Sequence, residues 1–148
     1  MSEAAQFWAD FCVRTGISGP MPPVTAFGDP GAEQDELAAL VLAGRKRATA
    51  GLLADYHAEG ATVPQAGDLE IFTDGSGVPL GVIRITEVRV GPFISVDAAF
   101  AADEGEGDGS LAYWLAVHRR FFSKWAEHAG YSFSDQSAVV FVRFEFVR

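Results

Sequence analysis

Apolar side chains near the start of the chain recur at helical steps. Ala5, Trp8, Phe11, Cys12 and Thr15 fall on one face and Gly16 follows as a stop, which predicts an amphipathic helix from Ser2 to Thr15. The stretch Gly16 to Gly31 holds Gly19-Pro20, Pro22-Pro23 and Asp29-Pro30-Gly31, so it breaks regular structure and reads as a strap with Phe27 pinned to the core. Helical periodicity returns from Glu33 to Ala43: acids occupy the first turn, Leu37, Leu40 and Val41 share a face, and Gly44 is placed as the terminator. Residues Ala50 to Glu59 also read as helical, and Pro64-Gln65-Ala66-Gly67-Asp68 as a turn into a strand.

The pattern then changes. Leu69–Thr73 and a Val/Ile-rich run from Leu80 to Val90 flank the turn Asp74-Gly75-Ser76-Gly77 and predict a hairpin. Ser95 or Asp97 caps a short helix through Ala102, and after an acidic, glycine-rich segment from Asp103 to Gly109 a long helix runs from Ser110 to Ala129. The last strand, Ser137 to Val147, puts Ala138, Val140, Val142, Phe144 and Phe146 on one face and Val139, Phe141, Arg143 and Glu145 on the other. Helices and strands are partly segregated, which predicts an α+β fold with a curled sheet rather than a doubly wound parallel one.

Composition narrows the class. The chain has 148 residues, 49% of them apolar, which predicts one domain over 1–148, with 1–26 as an N-terminal helix and strap. Cys12 is the only cysteine and reads as a small buried hydrophobe; with no basic-then-apolar leader, the expected location is the cytoplasm. No run approaches the roughly 18 apolar residues of a spanning helix, so a membrane is not expected as a partner. A net charge of -9 disfavours long polyanions such as extended double-stranded DNA. The cluster Arg45-Lys46-Arg47 still allows one local anionic or nucleotide-sized site.

Three groupings carry candidate chemistry. In Gly44-x-Lys46-x-x-Thr49, a desolvated lysine can act as a base and a threonine hydroxyl needs one to become a nucleophile; equally, Lys46 and its arginines can satisfy the last helical carbonyls. The run Asp103-Glu104-Gly105-Glu106-Gly107-Asp108 offers a general acid or base, or oxygen ligands from Glu104, Glu106 and Asp108 for a divalent metal, although it lacks calcium-loop spacing and also reads as a solvated turn. Trp114, His118, Phe121 and Trp125 share a helix face that suits base stacking beside a histidine donor, or core packing. His57 and His128 have no partner at ligand spacing. No glycine-rich phosphate loop, nucleophile elbow or Cys/His metal set is present.

Taken in order, these pieces resemble the ASCH family of PUA-like domains from about Phe27 to Val147. The resemblance rests on Phe27-Gly28-Asp29, Leu40 through Thr49, Pro64 through Asp68, Ala101 through Asp108, Trp114, His118, Phe121-Phe122 and Phe144 through Val147. It implies a small curled β-barrel with flanking helices and a cleft facing RNA or a nucleoside; separately, no cofactor is expected. One branch of very small members hydrolyses acetylcytidine with a lysine, a threonine and a glutamate, which Lys46, Thr49 and Glu104 match; Arg47 and Ala48 depart from that branch's pattern. The expected function is a hydrolase acting on a nucleoside or short RNA. Lys46 would be base or anion stabiliser, Thr49 nucleophile, Glu104 general acid/base, and Arg45, Arg47, Trp114 and His118 substrate contacts. A ribonuclease-like variant and a non-catalytic RNA-binding module are the alternatives.

Overall fold

The computed structural model describes residues 1–148. Helix α1, Glu3–Thr15, begins where the Ser2 hydroxyl accepts the Ala5 N–H and ends at Gly16 in the left-handed conformation, as its sequence predicts. The strap after it contains an unforeseen short strand, β1 (Val24–Thr25). Helix α2, Ala32–Leu42, is followed by strand β2, Ala48–Leu52, and helix α3, Leu53–Ala58. Only the second half of the helix predicted over Ala50–Glu59 therefore forms. Pairing with the last strand holds Ala48–Leu52 extended, although alanine and glycine favour no strand by themselves.

The hairpin consists of β3 (Leu69–Thr73) and β4 (Pro79–Pro92), and a short 3-10 turn, Phe93–Ser95, leads to α4 (Ala98–Glu104). Asp97 caps α4 by accepting the Phe100 N–H, and Ser110 caps the long helix α5 (Leu111–Ala129) by accepting the Tyr113 N–H. Strand β5, Ala138–Val147, completes a five-stranded sheet in the order β1-β3-β4-β5-β2. No helix is long and apolar enough to cross a membrane.

Side chains from the two faces of this sheet enter different layers. Val139 and Phe141 pack with α4 and α5, whereas Val140, Val142 and Phe144 pack with α2 and Phe27. Helix α1 lays Trp8 and Phe11 on Ile71 and Val82. The register shift between Ile85 and Glu87 changes the alternation of β4, so that Ile83, Ile85 and Val88 all reach the α2 side while Glu87 meets Arg143 in solvent.

The sheet curls but does not close, contrary to the barrel implied by the resemblance: β1 and β2 are free edges. Chain chemistry explains the gap. Pro22-Pro23 precede β1 and Gly28, at φ +83°, turns the chain away just after it, so that edge is only two residues long. Laid flat, the two edges would stand about 19 Å apart. Curling instead brings Thr25 and Phe27 from one side and Thr49 and Gly51 from the other around a single cavity of about 280 Å³.

Candidate functional site

Lys46 reaches this cavity because backbone groups, rather than its side chain, finish α2. Gly44, at φ +78°, donates its N–H to Val41, and the N–H groups of Arg45 and Lys46 both go to the Leu40 carbonyl. Its side chain, 2% exposed, is left to turn inwards. There Nζ donates to the Ala48 carbonyl at 2.7 Å and to Glu104 Oε2 at 2.8 Å, and stands 5.5 Å from the centre of the Phe27 ring. The helix-end role considered for Lys46 is therefore performed by main-chain donors.

Its neighbours point the other way. Arg47 is solvent-exposed and pairs with Asp103 at 3.1 Å; Arg45 is exposed, and both line a separate shallow hollow with Gly105 and Asp108. Neither lines the Lys46 cavity, which corrects the expectation that they hold substrate beside it.

Thr49 arrives from β2. Its cross-strand partner is Val142, which belongs to the inner face, so Thr49 takes that face and lines the cavity. Glu104 comes from the end of α4, where Asp103 is tied in two ways. Its carbonyl accepts the Arg47 N–H at 2.7 Å, and its carboxylate accepts from Arg47 and from Arg143 Nε at 3.0 Å. Those bonds clamp the next residue, Glu104, over Lys46.

The carboxyl groups are not equivalent. Glu104 is 1% exposed, with Oε2 taken by Lys46 and Oε1 fully buried without a donor from any fixed hydrogen. Burial pushes its pKa up, but the Lys46 ammonium, hydrogen bonding with Glu106 and the nearby His118 outweigh that and hold it below the usual range. Glu106 sits 3.9 Å from Lys46 Nζ and lines the cavity. Its burial, and its contact with an already ionised Glu104, push its carboxyl well above the usual range.

His118 completes the group. A carbonyl oxygen only accepts, so the 2.9 Å contact with the Trp114 carbonyl assigns a hydrogen to Nδ1; Nε2 faces Glu104 Oε1 at 3.6 Å. Burial drives its pKa down further than the Glu104 carboxylate raises it, leaving a neutral ring. Trp114 is corrected outright as a stacking contact for substrate. It is 2% exposed, with its ring faces covered by His118 at 4.0 Å and Phe93 at 5.4 Å, and it lines no part of the cavity. The buried stripe of α5 is Trp114, His118, Phe122 and Ala126, while Phe121 reaches the cavity.

The oxygen set Glu104, Glu106 and Asp108 does not form either. Asp108 is exposed and accepts the Ser110 N–H at 2.9 Å; the groups that bring ligand atoms within 4.8 Å of one another are Glu104, Glu106 and His118. Sequence reasoning missed three further cavity residues. Glu33 reads as first-turn dipole compensation for α2, Glu70 as an ordinary strand position and Tyr56 as part of a short helix; only curling of the sheet joins them to Lys46.

Comparison with known proteins identifies the family and the fold. The sequence pattern defining the ASCH domain matches residues 23–148. A crystal structure of a protein from Enterococcus faecalis V583 superposes with a TM-score of 0.89 at 35% identity, covering 98% of this chain and 88% of its own. The crystal structure of an ASCH domain from Lactobacillus crispatus JV V101 gives 0.87 at 32% identity, over 99% and 95% of the two chains. Both alignments span nearly the whole chain. No curated protein matches the sequence. A family match over most of the chain, together with a closely superposing ASCH domain, establishes that the chain belongs to the ASCH domain family.

Proposed function

We propose that the chain is a hydrolase that cleaves the amide of an acylated nucleoside in the cavity between β1 and β2. The observation that carries this reading is the buried Lys46–Glu104 pair, 2.8 Å apart, in the cavity lined by Thr49. At about 280 Å³ that space suits a single nucleobase-sized group better than a folded polynucleotide. Lys46, whose Nζ donates to two acceptors at the edge of the cavity, is suited to stabilise a developing oxyanion. Thr49 would attack the acyl carbon to give an ester, which water then releases.

Electrostatics favours amide over phosphodiester cleavage. Glu33, Glu70, Glu104 and Glu106 line the cavity against one lysine, and burial raises the carboxyls of both Glu70 and Glu106. A site that already resists its own negative charges opposes an incoming phosphate; a neutral amide meets no such cost. The RNA-binding alternative leans on Arg45 and Arg47 in the outer hollow, where Arg47 is already paired with Asp103.

Incubation with N4-acetylcytidine and, separately, with labelled RNA tests the reading. Release of cytidine and acetate is expected, with a loss of at least about a thousandfold in Thr49→Ala. Retention of labelled RNA that weakens steeply with salt, without turnover of the nucleoside, would instead support a binding module.

A further inference from the structure

The amidohydrolase reading needs a group that moves protons, and the family resemblance points to Glu104. Its surroundings do not suit that task. Glu104 is 1% exposed, its Oε2 is held by Lys46, and its Oε1 is buried, 3.6 Å from His118 Nε2. Glu106 stands two residues further on, past Gly105 at φ +68°, and its side chain keeps 16% exposure towards the cavity.

Two carboxyl groups in one buried site cannot both ionise at modest cost; one proton is shared. The unpartnered Glu104 Oε1 is an acceptor, and the neighbouring Glu106 carboxyl is a donor once it holds a proton. The remaining charged or titratable groups facing Glu106 support that state. Glu33, from α2, opposes its ionisation, neutral His118 from α5 adds no charge, and only Lys46 favours the carboxylate.

Resting on the amide-cleavage reading, we propose that Glu106, not Glu104, is the catalytic carboxyl that transfers protons to and from substrate, with Glu104 behind it as the partner sharing its proton. In acylation the Thr49 hydroxyl proton passes to the cavity-facing oxygen of Glu106 while the proton on its other oxygen moves to Glu104. As the C–N bond breaks, the cavity-facing oxygen protonates the leaving nitrogen and Glu104 returns its proton to Glu106. Deacylation repeats the cycle with water as the nucleophile and Thr49 Oγ as the leaving atom. Each half-reaction ends with one proton on the pair, so the balance closes.

Two measurements test this. Carbon-13 titration of the glutamate side-chain carboxyls should find Glu106 protonated through neutral pH and Glu104 ionised throughout. Glu106→Gln, whose amide N–H still donates to Glu104, should lower kcat on N4-acetylcytidine about 100- to 1000-fold. In the acylation step, followed by the burst of released leaving group, the same variant should lose less on an activated aryl ester of acetic acid than on the amide, because the ester still needs Glu106 to take the Thr49 proton but its phenolate leaves without one. Equal losses in the acylation step on both substrates, or Glu106 titrating with the exposed glutamates in a chain that cleaves the amide, overturn the assignment alone. A wild-type chain that cleaves neither substrate overturns the parent reading with it.

Discussion

Lys46→Ala is expected to lower stability by about 3–5 kcal/mol and to abolish amide cleavage. Removal of the ammonium leaves Glu104 ionised, 1% exposed and without a counter-charge, and it strands the Ala48 carbonyl that Nζ also satisfies. Deleting one partner of such a pair costs far more than the pair contributes, because the survivor keeps its full desolvation penalty. For a chain of 148 residues this corresponds to a fall in Tm of roughly 6–20 °C by calorimetry. The double variant Lys46→Met with Glu104→Gln should recover much of the lost stability and none of the activity. Equal stability losses in Lys46→Ala and the double variant would contradict a coupled pair.

Gly105→Ala should be nearly as damaging without removing any functional group. Gly105 adopts φ +68°, and a Cβ there would lie 2.3 Å from the Arg45 carbonyl oxygen and 2.7 Å from its carbon. Both are main-chain atoms that no rotamer change can move. Left-handed backbone alone costs a non-glycine residue about 1–2 kcal/mol. The clash adds to this by forcing α4 away from the segment that carries Lys46, so a total above about 3 kcal/mol is expected. Gly109→Ala is the control: it has φ +75° but nothing within 4 Å of its Cβ, so it carries only the conformational cost. Chemical denaturation of the two variants should differ by the contact energy, and only Gly105→Ala should lose turnover. Similar behaviour of the pair would contradict the tight apposition of α4 and Lys46.

Much of the fold was legible because its signals are local. Ser2, Gly16, Gly44, Asp97 and Gly130 mark helix ends by side-chain capping or by positive φ, and these are properties of single residues. Strand β2 was not legible, since Ala48-Thr49-Ala50-Gly51-Leu52 takes its extended form from β5, a partner some ninety positions away. The β4 bulge is equally invisible in a Val/Ile-rich run, yet it decides which residues face the cavity.

For the site, spacing alone left Lys46 and Glu104 ambiguous, being 58 residues apart; the ASCH resemblance supplied the link and the curled sheet supplies its geometry. The errors have one physical source. Residues adjacent in sequence to a functional one, such as Arg45, Arg47 and Asp108, need not share its cavity: the three line a separate outer hollow, and the glycine turns after Glu104 lead the chain away from Lys46. Trp114 failed for a related reason: an aromatic residue on a helix face says nothing of which layer covers it, and here Phe93 and His118 do.

Amide cleavage through Thr49 is tested most directly by trapping the acyl group. Wild-type protein quenched in acid during turnover of N4-acetylcytidine should, after proteolysis, carry one acetyl group on the peptide containing Thr49, and that label should disappear in Thr49→Ala. Turnover that persists in Thr49→Ala, or an acetyl group located on any other residue of a cleaving enzyme, would contradict the account.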